Sequence, residues 1–129
     1  RDMFKSVNGG FQMTFANNLT ISVMFRSGNY CEHRDARWEI AADNIRENGH
    51  HGSKDAEIAI WEEGGSNRWI NIGYDQVSGW HTPDQVAFII FAVQSAKNFD
   101  DLQSNVEHYQ DLNRYGTEIS PCLTKCLEG

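Results

Sequence analysis

The segment TPDQVAFIIFAV, residues 82–93, constrains this chain more than any other. Val86 to Val93 is an apolar run that would suit a buried strand as well as a helix. The residues before it decide. Thr82 as N-cap accepts from a first-turn amide, Pro83 at N1 lacks a donor that would be orphaned there, and Gln85 at N3 reaches back to the cap. A helix is therefore expected to start at Pro83. Along it Val86, Ile89, Ile90 and Val93 fall at i, i+3, i+4 and i+7, and Phe88 and Phe91 broaden the stripe. One sheet face covers only part of such a helix, so the C-terminal segment or a second subunit must cover the rest.

The sheet is read from alternation. Phe11, Met13 and Phe15 alternate with Gln12, Thr14 and Ala16; Asn17-Asn18 tolerates positive φ; then Leu19, Ile21, Val23 and Phe25 alternate with Thr20, Ser22 and Met24. This predicts a hairpin with one buried face, preceded by an N-terminal arm over residues 1–10 that ends at Gly9-Gly10. A second hairpin is expected from Ala56 to Trp61, a turn at Gly64 to Asn67, and a return strand from Arg68 to Ile72, with Trp61 and Trp69 as a cross-strand aromatic pair. Leu102, Val106, Tyr109 and Leu112, between Asn98 and Gly116, predict a second, more polar helix over about residues 100–115. Residues 46–54 read as an exposed polar insertion and residues 117–129 as a short tail. The fold class is α+β in a single domain, residues 1–129: a small antiparallel sheet of about four strands in two hairpins, packed on one main helix, with a second helix near the C-terminus.

Charge and length bound the partners. The 129 residues carry a formal charge of -7 and hold no basic stripe for releasing counterions from DNA or RNA, so no direct nucleic-acid binding is expected. The acids are spread through the chain, which weighs against the alternative of an acidic decoy for a nucleic-acid-binding protein. The longest apolar run is far short of the roughly 18 to 20 residues that cross a bilayer, and three cysteines cannot all pair within one molecule. A reduced, cytoplasmic setting without membrane attachment is the expectation.

Two constellations carry candidate chemistry. Cys31 and His33, with Cys122 and Cys126 at i, i+4, make a four-ligand set for zinc on paper, although the spacing is not that of a standard knuckle; unrelated reduced thiols are the simpler reading. Tyr30, Cys31, His33, Trp80 and His81 are candidates to line a small-ligand pocket, the last two because they precede a helix N-terminus. The competing reading has Trp80 or His81 pack on the first helical turn, and Tyr30 and Cys31 plug the sheet's edge. Nothing supplies an oxyanion nest or a phosphate-binding glycine loop, so no catalytic residue and no cofactor is assigned.

The stretches FANNLTISVMFRSGNYCEH, AEIAIW, RWI and DQVSGWHTPDQVAFII together resemble small uncharacterised phage and prophage proteins built on F-x-N-G-x-T-x-S-V-x-F-G-x-G-N-Y-C, A-E-I-A-V-W and G-W-x-(S/T)-P-(D/E)-x-V. The resemblance spans Phe15 to Ile90. Asn18 stands where that pattern has glycine, Arg26-Ser27 precedes Gly28, and residues 36–54 and the C-terminal extension look like additions. It implies a phage origin and a host-cytoplasm setting, with no reaction attached. The expected role is a phage accessory protein acting by protein-protein contact, with itself or with a host target; the alternative from another class is a small-ligand or metal-dependent enzyme.

Overall fold

A computed structural model describes residues 2–64 and 67–113, with side chains through 108. Among these residues five antiparallel strands follow one another in chain order across one sheet: β1 Met3–Val7, β2 Gly10–Thr14, β3 Leu19–Met24, β4 Ala56–Glu62 and β5 Val77–His81. Among the described residues three helices complete the α+β fold: α1 Ile40–Asn48, α2 Pro83–Ser95 and α3 Phe99–Asn113.

The sheet has five strands rather than four because residues 3–7, expected as an arm, pair with β2 from Met3↔Thr14 to Val7↔Gly10. Gly9, at φ +82°, makes the tight turn between them; a Cβ there would also stand 2.5 Å from the Cβ of Arg26. The β2–β3 hairpin forms as its alternation predicts, with Asn18 at φ +70° in the turn. Cross-strand partners share a face, so Phe11, Met13, Leu19, Ile21, Val23, Ile58 and Ile60 line one side of the sheet. Val86, Ile89, Ala92 and Val93 of α2 complete the core against them.

The cap of α2 is complete: the Gln85 amide donates to the Thr82 hydroxyl at 3.3 Å, and the Thr82 amide donates to the Gln85 side chain at 3.0 Å. At its other end the Asn17 side chain, from the β2–β3 turn, donates to the carbonyls of Val93 and Ala96, each at 2.8 Å. These bonds satisfy carbonyls that a helix C-terminus leaves without intrahelical partners. One hairpin turn thereby locks the helix across the sheet.

The second hairpin is interrupted. Residues 68–70 do return along β4, with a Trp61↔Trp69 bridge, stacked rings 4.7 Å apart and Ile70 donating to Ile60. The chain then loops out at 71–76 and resumes on the same edge of β4 as β5, a strand absent from the sequence reading. Helix α3 closes this side. Its Gln103 accepts from the Asn71 amide at 2.6 Å and donates to the Asn71 carbonyl at 3.1 Å, and Arg68 pairs with both Glu62 and Asp100. Phe99, Leu102 and Val106 join the main core, whereas Tyr109, Leu112 and the tail lie outside the described side chains. Residues 46–54 begin as the last turn of α1, which ends at Gly49 in the left-handed conformation, and continue as a mostly exposed loop.

Candidate functional site

After β3 the chain enters the turns of residues 26–39. Gly28, at φ +86°, and the Asn29 side chain, which accepts the Arg26 amide at 3.0 Å, fold residues 26–31 into a compact knuckle. This knuckle lands on β4 and β5. The Tyr30 amide donates to Glu57 at 2.8 Å, and the Trp80 amide donates to the Tyr30 carbonyl at 2.8 Å. The Tyr30 and Trp80 rings stack with centroids 5.4 Å apart, and the Arg34 guanidinium lies 5.7 Å from the Tyr30 centroid.

Gly79 makes this approach possible. A Cβ on it would stand 2.3 Å from the Cβ and 2.9 Å from the carbonyl oxygen of Tyr30. The next residue absorbs the backbone distortion: Trp80 sits at φ +55°, a left-handed conformation rare for a bulky side chain, beside the register shift between β4 and β5. The stack and the bond to Tyr30 over-determine that conformation. The stretches GNYC, AEIAIW and GWHTP thus meet through Tyr30, Glu57, Gly79 and Trp80.

The five candidate side chains divide among four surroundings. Tyr30 and Trp80 form the outer stack, and Trp80 borders a groove of about 410 Å³ together with Tyr74, Asp75, Val77, Ser78 and Gly79. His81 is only 1% exposed and bonds through Nε2 to the Ser78 hydroxyl at 2.7 Å; it borders a separate groove of about 290 Å³ between Phe11, Phe25, Val86 and Ile90. His33 faces the loop after α1: its Nε2 bonds the Gly52 carbonyl at 2.8 Å, and its ring lies 4.6 Å from that of His51. His51 in turn donates through Nε2 to the Phe25 carbonyl and accepts at Nδ1 from Asn44. The two imidazoles fasten the 49–54 loop to the end of β3 and to the turns that follow it.

Cys31 is buried, and its thiol donates to the Arg26 carbonyl at 3.6 Å. Burial pushes this thiol up, and the carboxylates of Asp55 and Glu57 add to the effect. The protonated form is poorly suited to attack or to metal ligation. The partners of the proposed metal set, Cys122 and Cys126, lie outside the described residues; among the described residues no three His, Cys, Asp or Glu side chains gather for an ion.

Sequence reasoning passed over Glu57 and Gly79, which do most to assemble the cluster. Nothing local marks them, since their partners come from another part of the chain. Two Phe rings are also left outward on α2: Phe88 and Phe91, one turn apart, are 52% and 56% exposed. No described helix is long and apolar enough to cross a membrane. Protein-family models, curated proteins and solved structures contain no match to this chain.

Proposed function

We propose that this chain is a phage accessory protein that works in the host cytoplasm by binding another protein through the outward stripe of α2. The observation that carries this reading is the pair Phe88 and Phe91 on the solvent side of a capped, rigid helix. Single exposed apolar residues are ordinary on a protein surface, whereas adjacent aromatic rings on one helical face are the kind of anchor that protein interfaces use. Phe99, Leu102 and Val106 of α3 pack into the core and leave the two rings uncovered. Burying a Phe side chain is worth about 1.5 to 3 kcal/mol, so two rings supply a useful share of a contact.

A binding role also suits the polar groups near the knuckle. The Cys31 thiol is enclosed and held protonated, and the Ser78–His81 pair is buried, which are the surroundings of structural groups. The phage setting rests on the resemblance of residues 15–90 alone.

The test compares the wild-type chain with the double variant Phe88→Ser/Phe91→Ser as bait in host extract, alongside light scattering of each. The reading expects a host protein retained by wild type and lost in a variant whose melting temperature is unchanged. A wild-type chain that retains no host protein would sink it.

A further inference from the structure

We propose that β1 is a docking edge for a second copy of this chain. Two β1 strands would pair antiparallel about a two-fold axis at Phe4 and join the two sheets into one. This goes beyond the reading of α2, because it uses the opposite end of the sheet and does not need Phe88 or Phe91.

The two edges of the sheet differ. On the β5 edge the Tyr30 carbonyl takes the Trp80 amide, the Tyr30 ring covers Trp80, and the positive φ of Trp80 turns the backbone out of line. The chain closes that edge itself. Strand β1 has none of these devices: Met3–Val7 holds a regular register with β2 and contains no proline, and no described segment lies on its outer side. A regular edge strand directs backbone N–H and C=O groups outward, where another strand satisfies them. Phe4 on this edge is 82% exposed and Met3 50%.

Symmetry and charge select both the partner and the register. A two-fold axis perpendicular to the sheet sets one residue opposite its own copy, and keeps facing side chains on the same face. Centring on Lys5 would oppose two ammonium groups, an unfavourable cross-strand pair. Centring on Phe4 opposes two aromatic rings, sets Met3 against the aliphatic stem of Lys5 of the second copy, and sets Asp2 against Ser6 of the second copy. No like charges then face each other. Phe4 shares its face with Met13, its partner on β2, and both border a groove of about 410 Å³ that also includes Phe15, Asn17 and Gln94. Each copy therefore offers a ring and a recess beside it. At about 3.4 Å per residue a five-residue edge is short, so the contact belongs with small interfaces and the dimer should be concentration-dependent.

Sedimentation velocity of the full chain from low micromolar to near-millimolar concentration tests this. Wild type should move from monomer to dimer. Phe4→Lys and Phe4→Glu should each remain monomeric, since each places like charges at the two-fold axis, and an equimolar mixture of the two should dimerise again. Circular dichroism melting of both variants checks that the exposed position tolerates the change. The variant Phe88→Ser/Phe91→Ser should still dimerise, which separates this proposal from the α2 reading. A wild type monomeric throughout, a dimer that survives Phe4→Lys, or a mixture that stays monomeric would overturn it.

Discussion

Gly79 is the residue at which three separated stretches of the chain come into contact, and its lack of a side chain is what allows it. In Gly79→Ala the new methyl would stand 2.3 Å from the Cβ of Tyr30, so the knuckle must move off β5 and loosen the Trp80–Tyr30 bond. Overpacking of this kind costs about 1 to 3 kcal/mol. Chemical denaturation should show a loss in that range, and Cys31, buried in the same knuckle, should become alkylated under conditions in which the wild-type thiol stays unmodified. Mass mapping of Cys31 reads the second effect. Tyr30, Trp80 and His81 were visible in the sequence as a group worth watching. Their division between an outer stack and a buried Ser–His pair was not, because it follows from one residue with positive φ on β5, and Trp is not a residue type that signals one.

Among the elements, α2 was the most legible, because its cap uses only neighbours in sequence and both cap bonds are present. The β2–β3 hairpin was legible for the same local reason. Strand β5 was not: Val77-Ser-Gly-Trp-His shows no alternation, and it is a strand only because β4 offers it an edge. For helix α1 the sequence leaves residues 38–45 open between a short strand and a helical turn, because the helix buries only Ala41 and carries almost no periodic apolar signal. At the other end of the sheet, Glu63 ties strands together. It accepts from the Thr20 hydroxyl at 2.6 Å and the Trp61 indole at 3.0 Å, and these bonds hold its carboxyl below the usual range. A depressed folded pKa means that the contribution is complete above the ordinary Glu value of about 4.3 and fades as pH falls through the lower folded value. The wild-type melting temperature should therefore fall below about pH 4 more steeply than that of Glu63→Gln, whose amide oxygen still accepts but does not titrate. Parallel curves for the two proteins would rule out this role.

At the scale of the whole molecule, one core unites the sheet with α2 and α3: Ile21, Ile60, Ile70, Ile72, Ile89, Leu102 and Val106 belong to a single cluster. Unfolding should be one cooperative event rather than a loss of α3 followed by the sheet. Leu102→Ala, at a fully packed position, should cost about 2 to 5 kcal/mol and shift the entire calorimetric transition to lower temperature without splitting it. A separate low-temperature step would show α3 to be an appendage. The amino-acid order by itself determined the start of α2, the first hairpin and the α+β class, since each depends on neighbours in sequence or on composition. Tertiary structure alone decided that the N-terminal residues form a strand, that the second hairpin is interrupted, that no described segment covers the outer edge of β1, and that α3 leaves Phe88 and Phe91 uncovered. The physical reason is common to all four: each depends on which surface meets which, and a strand edge or helix face acquires a partner only when distant parts of the chain are brought together.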